Sequence, residues 1–171
     1  MKRDINLALG GGGVRGVAHL GVIQCLLDNG YKINGIAGTS AGGLFGAIIA
    51  AGIPPREIAT AVDNFFTESS FRSGINPSSF SLIGTSGMIK SLEPFLHGKM
   101  IQDLQIPFVA TAVSLKTGKE IIIKEGDVMK AVLATIAIPG IFPSQGDQVL
   151  VDGGILDPVP IDSARKFDAS L

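Results

Sequence analysis

The residues best placed to do chemistry lie in the run Gly38-Thr39-Ser40-Ala41-Gly42, which matches the pattern G-x-S-x-G. An apolar segment that favours a strand precedes this run, and an apolar segment that favours a helix follows it. The flanking glycines permit a sharp turn, so the Ser40 hydroxyl would project at a helix N-terminus, where negative charge is favoured. The pattern predicts a nucleophile elbow. The alternative is a glycine-rich turn in which Ser40 caps the helix.

A nucleophilic serine needs a general base, and the two histidines of the chain are poorly placed to supply one. The common hydrolase order is serine, acid, histidine, whereas no histidine follows His97 and only His19 precedes Ser40. We expect His97, beside Gly98 at the end of a short helix, to be a solvated surface residue. We expect His19 to be packed or to act as a cap. The ordinary triad therefore fits this sequence badly.

Asp152 is the alternative base. It follows the predicted strand Gln148 to Val151, and Gly153 and Gly154 come next. A carboxylate at the C-terminal end of a strand points to the same edge of a parallel sheet as a serine elbow, which makes a Ser40–Asp152 dyad geometrically reasonable. Because aspartate is a weak base in water, the site must bury it or hold it close to the hydroxyl. Taken alone, an Asp-Gly-Gly sequence is also a common turn.

An earlier glycine-rich loop has the sequence Gly11-Gly12-Gly13-Val14-Arg15-Gly16. It follows a predicted strand, precedes a predicted helix and fits the dinucleotide pattern G-x-G-x-x-G. Dinucleotide binding also needs an acidic residue at the end of the second strand, but the serine elbow begins there, and Asp28 falls in or just after the preceding helix. The loop suits an oxyanion better, because successive backbone N–H groups can bind it while Arg15 adds positive charge.

The elements around these motifs predict an α/β fold. Two strand-loop-helix units in succession, with strands at Ile5 to Leu9 and Ile33 to Ala37, indicate a parallel sheet. The segment Thr67 to Ser86 is rich in serine and is predicted to be a long loop. The other predicted elements are helices at Val17 to Asn29, Ala41 to Ala51, Arg56 to Phe66, Ile89 to Leu96 and Asp127 to Ile136, and a hairpin joining Phe108 to Leu115 with Ile121 to Ile123.

Length and composition indicate one globular domain. The chain has 171 residues, of which 46% are hydrophobic and 17% are charged, and its mean hydropathy is +0.41. Its 14 basic and 15 acidic residues form no block of like charge, which argues against a nucleic-acid partner. Cys25 has no partner cysteine, so neither a disulfide framework nor a thiolate metal site is expected.

Targeting and membrane signals are weak in this sequence. The first residues are too charged and then too glycine-rich for a secretory signal. The uncharged run from Ile33 to Pro55 is long enough to span a membrane, but glycines interrupt it repeatedly. We expect a cytoplasmic protein that can also bind peripherally to a membrane.

The G-G-G-x-R-G loop, the G-x-S-x-G elbow and the late D-G-G resemble, in that order, the patatin-like phospholipase family. The segment Ala134 to Pro143 looks like the one that precedes the catalytic aspartate in that family. The stretch Pro158 to Lys166 resembles the one that follows it. The resemblance covers nearly the whole chain, and Thr67 to Leu104 is its least diagnostic part.

The resemblance implies a three-layer α/β/α sandwich with a mostly parallel central sheet. It implies a lipid acyl hydrolase that uses a Ser-Asp dyad without histidine, metal or organic cofactor, acting on phospholipids or lysophospholipids. The alternatives are a carboxylesterase for short soluble esters and a non-catalytic domain that binds lipid or nucleotide. Carried over by motif position, the site residues are the nucleophile Ser40, the base Asp152, the oxyanion-hole residues Gly11, Gly12, Gly13 and Arg15, and the supporting glycines Gly38, Gly42 and Gly153.

Two departures from the family pattern stand out. Asp157 occupies a position where an amide or another polar residue is common. The chain ends where family members continue into a strand, begun here by Asp168-Ala169-Ser170, so we expect an incomplete sheet edge or face.

Phenylalanines cluster around the serine-rich segment, at Phe65, Phe66, Phe71 and Phe80. They suggest a flap over Thr67 to Ser86 that covers an acyl pocket or touches a membrane surface. The alternative is a small satellite core under a long loop.

Overall fold

The computed structural model describes residues 3–67 and 89–167, without the side chains of 63–67, and within these ranges it contains a five-stranded sheet. The central strand β3 pairs in parallel with β2, and β2 pairs in parallel with β1. The two short strands β4 and β5 both run antiparallel to β3. The strands are β1 (Arg3–Leu9), β2 (Tyr31–Thr39), β3 (Phe108–Ser114), β4 (Lys119–Ile123) and β5 (Leu150–Asp152).

The helices confirm the predicted order of elements. Within the described residues, three short 3₁₀ turns and the last helix are not predicted from periodicity, because segments of three to five residues are too short to show it. The 3₁₀ turns are Gly13–Val17, Ile101–Asp103 and Gly153–Ile155. The α-helices are α1 (Ala18–Asp28), α2 (Ala41–Ala50), α3 (Pro55–Thr67), α4 (89–96), α5 (Val128–Thr135) and α6 (Ile161–Ala164).

Local signals account for several helix boundaries. The Asp127 side chain accepts a hydrogen bond from the Lys130 N–H at 2.8 Å, which caps the start of α5. Gly30 has a φ of 78°, a left-handed conformation that glycine adopts readily, and α1 ends just before it. Pro55 begins α3, where a missing N–H costs nothing. These boundaries follow from sequence because each depends on residues within one turn.

The two faces of the sheet are covered unequally. Alternate strand residues such as Leu9, Ile36 and Phe108 point into the main core, where they pack with buried residues of α1, α2 and α5. All of α2 except Leu44 is buried, as expected of a helix that is apolar on every side. The opposite face carries the short helix α6, whose segment is tied to β1 by a hydrogen bond from Asn6 to the carbonyl of Phe167.

A shallow groove of about 370 Å³ remains on this second face. Its lining combines apolar strand residues with the cationic end of the α6 segment: Val109, Ile122, Lys124, Ser163, Lys166 and Phe167. The architecture is thus an α/β sandwich with one thick and one thin helical layer in the described part of the chain. This layering is the fold class that the sequence predicts.

The direction of β5 corrects one step of the sequence argument. The sequence argument lets Asp152 reach the serine because both end parallel strands at one edge of the sheet. Instead β5 runs antiparallel to β3, and Asp152 is its last residue rather than the residue after it. Both β2 and β5 pair with the side of β3 opposite to β4, so their C-terminal ends face each other. The hydrophobic pattern of one strand does not tell whether that strand pairs parallel or antiparallel to its neighbour.

Some predicted features lie outside the described residues. The predicted strand from Asp168 and the residues Phe71 and Phe80 fall there, as do the side chains of Phe65 and Phe66. The flap therefore stays a prediction. The apolar run Ile33 to Pro55 forms most of β2, all of α2 and the start of α3. Among the described residues, no helix combines the length and apolarity needed to cross a membrane.

Candidate active site

Ser40 stands at the turn between β2 and α2 in a strained backbone conformation. Its φ is 54° and its ψ is −122°, values that a residue with a side chain rarely adopts, and it is only 7% exposed. Such strain costs roughly 1–3 kcal/mol and persists only where the surroundings hold it. Here the Ser40 N–H donates a 2.9 Å hydrogen bond to the buried hydroxyl of Thr135 in α5. The elbow predicted from G-x-S-x-G is therefore present as a backbone feature.

The glycines of the elbow allow α2 to approach the sheet closely. A Cβ on Gly42 would collide with the carbonyl of Leu9 at the end of β1. A Cβ on Gly38 would lie 2.5 Å from the carbonyl oxygen of Gly42. Real Cβ atoms do not tolerate such contacts, so both positions require glycine for packing. This close approach places the N-terminus of α2 directly behind Ser40.

The pairing of β3 brings Asp152 to the elbow. Thr39, which precedes Ser40, pairs with Thr111, and Asp152 pairs with Ala112, the next residue of β3. Chain segments that pair with adjacent positions on one side of a strand meet end to end. Ser40 and Asp152 are thus brought to the same point of the sheet, and Asp152 is 6% exposed.

Backbone contacts hold the Asp152 carboxylate in place. Its Oδ1 accepts a 2.7 Å hydrogen bond from the N–H of Gly154, and its own N–H donates to the carbonyl of Ala137 at 3.0 Å. Gly153 lies against Thr111, where a Cβ would collide with the threonine hydroxyl. The turn after Asp152 is therefore pressed onto β3, and a bulkier residue at Gly153 would displace the carboxylate.

The glycine loop lies between β1 and the 3₁₀ turn Gly13–Val17. The Gly11 N–H donates to the carbonyl of Pro158 at 2.9 Å, so that group is already engaged. A Cβ on Gly11 would lie 3.4 Å from the Cβ of Ser40, which places the loop beside the serine. Gly12 and Gly13 stand at the start of the 3₁₀ turn, where N–H groups have no partner within the helix. The Arg15 side chain is exposed.

The histidines take supporting or surface positions. His19 lies 2.9 Å from the Gly10 carbonyl, which only accepts, so its Nε2 carries the proton and donates. His97 is exposed at the end of α4, with Nδ1 3.8 Å from the Glu93 carboxylate. Both positions agree with their predicted packed and solvated roles.

The dinucleotide alternative finds little support. Asp28 is the last residue of α1 and forms an exposed ion pair with Arg56 at 3.3 Å, so it does not stand at the end of β2.

In residues 3–67 and 89–167, no group of three or more histidine, cysteine, aspartate or glutamate side chains is arranged to hold a metal ion.

Sequence reasoning missed three threonines, Thr39, Thr111 and Thr135, all of them fully buried with their hydroxyls bonded near Ser40. The available signal was a hydroxyl residue inside an otherwise apolar segment, as in Ala134-Thr135-Ile136, because a buried polar group normally has a specific partner. Which partner it has could not be predicted, because these contacts join segments far apart in the chain.

One carboxyl pair lies just beyond this network. The pKa of Glu120 in β4 is raised by partial desolvation, by a hydrogen bond to the Asp157 side chain and by the charge of Asp157. Lys166 opposes this shift, and Asp162 adds to it. Asp157, the departure from the family pattern, therefore interacts with a second acid through its side chain.

Comparison with known proteins supports the family resemblance. The sequence model of the family described as "Patatin-like phospholipase" matches residues 7–165. An uncharacterized NTE family protein of Mycobacterium tuberculosis is 36% identical over 98% of this chain, and a lysophospholipase of Cryptococcus neoformans is 29% identical over 96%. The chain spans 47% of the length of the first of these relatives and 10% of the second.

A solved structure shows the same fold. VipD from Legionella pneumophila superimposes with a TM-score of 0.63 at 14% identity, over 91% of this chain and 46% of that one. At this identity the likeness speaks for the fold alone. On the strength of the sequence-model match and the mycobacterial relative, the chain belongs to the patatin-like phospholipase family.

Proposed function

We propose that this chain is a lipid acyl hydrolase in which Ser40 is the nucleophile and Asp152 the general base. The observation that carries the proposal is the strained Ser40 turn, at the N-terminus of α2, facing the end of β5 that bears the buried Asp152. Membership of the family and the relative named as a lysophospholipase support a lipid ester as the substrate.

The proposed reaction is acyl transfer in two steps. The Ser40 hydroxyl attacks the ester carbonyl while its proton passes to the Asp152 carboxylate, and the alcohol leaves with that proton. The acyl group stays on Ser40 as an ester. Water then attacks this acyl-enzyme and loses a proton to Asp152, the bond from the acyl carbon to the Ser40 oxygen breaks, and Ser40 takes that proton back as the fatty acid leaves. Because Gly154 already donates to Oδ1, the second carboxylate oxygen is the one that we assign to the proton.

The oxyanion would bind at the glycine loop. Because the Gly11 N–H is engaged by Pro158, we assign the donors to Gly12 and Gly13 and give Gly11 the role of anchoring the loop. Two such donors stabilise a tetrahedral oxyanion strongly in a site that excludes water. Arg15, exposed on the same 3₁₀ turn, would contribute through its charge rather than through a direct contact.

Exposed apolar side chains on the loops around the site fit a lipid substrate. Ile155 and Leu156 follow the Asp152–Gly153 turn, and Val14 lies on the glycine loop, each of them more than half exposed. Large exposed apolar residues close to a site commonly mark a contact surface. We therefore include transient contact with a lipid surface in the proposal.

Covalent labelling by a fluorophosphonate, mapped by peptide mass spectrometry, tests the dyad. Wild type should form an adduct on Ser40, S40A should form none, and D152N should react at least about 100-fold more slowly, the usual scale of general-base catalysis. D147N is the matched control, because Asp147 is an exposed aspartate shortly before β5. Unlabelled but folded wild type, or D152N that reacts as fast as D147N, would contradict the proposal.

Substrate class needs a second measurement. We expect release of fatty acid from lysophospholipid micelles to exceed hydrolysis of p-nitrophenyl acetate in kcat/KM. The reverse order would identify an esterase for short soluble esters. Lipid binding by S40A, with no turnover by wild type, would identify a binding domain.

A further inference from the structure

Three polar groups form a hydrogen-bonded chain beneath the serine elbow. The Thr39 and Thr111 hydroxyl oxygens are 2.7 Å apart, and the Thr39 hydroxyl lies 2.9 Å from the carbonyl oxygen of Asp157. Both threonine side chains are fully buried. Burying a hydroxyl costs free energy unless it is hydrogen-bonded, so this hydrogen-bonded chain is a specific feature of the fold.

Counting protons gives the chain a direction. A carbonyl oxygen only accepts, so Thr39 must donate its single hydroxyl proton to Asp157. In the pair of hydroxyls, Thr111 must therefore be the donor and Thr39 the acceptor. The order is Thr111 to Thr39 to the Asp157 carbonyl, and Thr39 is the member with two bonds.

The hydrogen-bonded chain of Thr111, Thr39 and Asp157 joins three segments that meet at the candidate site. Thr39 directly precedes Ser40, and Thr111 is its partner in β3. Asp157 belongs to the turn after Asp152, because its N–H donates to the Gly153 carbonyl at 2.9 Å. Among the described strands, β2 and β5 each pair with β3 and not with each other, so a direct bond between the end of β2 and the turn after Asp152 has to come from outside the strand pairing. The Thr39 hydroxyl supplies such a bond.

We propose that Thr39, oriented by Thr111, is a positioning residue that sets the distance between the Ser40 hydroxyl and the Asp152 carboxylate. This inference rests on the proposed function. Proton transfer between two groups depends steeply on their separation, so a small shift of the turn lowers the rate of attack more than the affinity for substrate. Thr39 touches neither the reacting ester nor its oxyanion in this scheme.

The test compares T39V, T39S and T111V with wild type in the full chain. Valine keeps the shape of threonine without the hydroxyl, and serine keeps the hydroxyl. S114A is the matched control, because Ser114 is a fully buried hydroxyl of β3 that donates to Gln148 at 3.2 Å. Three quantities are measured: the fluorophosphonate labelling rate of Ser40, kcat and KM for a p-nitrophenyl ester, and Tm.

We expect T39V to lose at least about tenfold in labelling rate and in kcat, with KM within about twofold, whereas T39S stays within about threefold of wild type. T111V should lose less, because Thr39 still donates to Asp157 without it. S114A should lower Tm and leave the labelling rate unchanged. This pattern separates positioning from general loss of stability.

Several outcomes would overturn the inference. They are folded T39V that labels at the wild-type rate, T39S as slow as T39V, and S114A as slow as T39V. If T39V does not fold, T111V decides: slower labelling at unchanged folded fraction supports the inference, and the wild-type rate overturns it. Wild type that is not labelled at all would refute the proposed function and this inference with it, so the two failures are distinguishable.

Discussion

The molecule uses glycine-rich segments twice at the candidate site, and it holds them by different means. The elbow, Gly38 to Gly43, is buried, and packing against β1 and α5 leaves its glycines no space for a Cβ. The loop, Gly10 to Gly13, is partly exposed, and a Cβ on Gly13 would meet nothing within 4 Å.

Packing restricts this loop at Gly10, where a Cβ would lie 2.9 Å from the Pro158 carbonyl oxygen, and polar contacts also hold it. His19 donates to the Gly10 carbonyl, and Gly11 donates to the Pro158 carbonyl. Gly13, with a φ of 54°, is retained for its backbone conformation and not for lack of space. One residue type therefore serves two needs at this site. The elbow is a close-packed turn that carries the proposed nucleophile, and the loop is a partly exposed turn whose Gly12 and Gly13 we propose as oxyanion donors.

The largest expected effect comes from adding one methyl group to the elbow. G42A places a Cβ against the Leu9 carbonyl, so we expect a loss of more than about 3 kcal/mol in the free energy of unfolding, measured by urea denaturation. The matched control is G21A in α1, where a Cβ meets nothing within 4 Å. That variant should gain about 0.5–1 kcal/mol from helix propensity. Equal effects of the two substitutions would contradict a packing role for Gly42.

A smaller effect is expected from removing a polar contact of the loop. H19A deletes the donor to the Gly10 carbonyl, a hydrogen bond worth about 0.5–1.5 kcal/mol. When that loss falls on the barrier to labelling, fluorophosphonate reacts with Ser40 about two- to tenfold more slowly. H19Q can place an amide N–H near the position of Nε2 and should recover most of that rate. If H19A reacts like wild type, His19 does not hold the loop.

The smallest effect concerns the carboxyl pair outside both regions. Because the pKa of Glu120 is raised in the fold, folding favours its protonated form. Its contribution to stability is therefore full below its ordinary pKa and is lost as the pH rises through the raised value. E120Q should be more stable than wild type at pH 7, by less than about 1 kcal/mol because the group is largely exposed, and the difference should shrink towards pH 4.

E120Q also tests whether the Asp157 side chain acts on the elbow. The carbonyl of Asp157, and not its carboxylate, accepts the bond from Thr39, so E120Q should label at the wild-type rate. E125Q, which also removes an exposed carboxylate close to β4, controls for the loss of surface charge. A labelling rate that changes in E120Q alone would mean that the side chain of Asp157 also acts on the elbow.

Much of the fold and the residues of the site follow from the sequence because their signals are local. Alternating and helical hydrophobic periods predict β1 to β4 and the longer helices, and a cap such as Asp127 defines a boundary within one turn. The elbow is predicted for the same reason, since Gly38, Ser40 and Gly42 lie within five residues. Asp152 is also identified from its position after an apolar strand and before two glycines.

How these elements meet depends on contacts between distant parts of the chain. The antiparallel direction of β5, the bond from Gly11 to Pro158 and the contact of Thr39 with Thr111 join segments up to 147 residues apart. Such contacts depend on strand pairing and on the space left by neighbouring elements, which no local pattern encodes. Local sequence patterns thus identify which residues are available for chemistry. The packing of distant segments decided which N–H group of the glycine loop is already engaged and which buried hydroxyls lie next to the elbow.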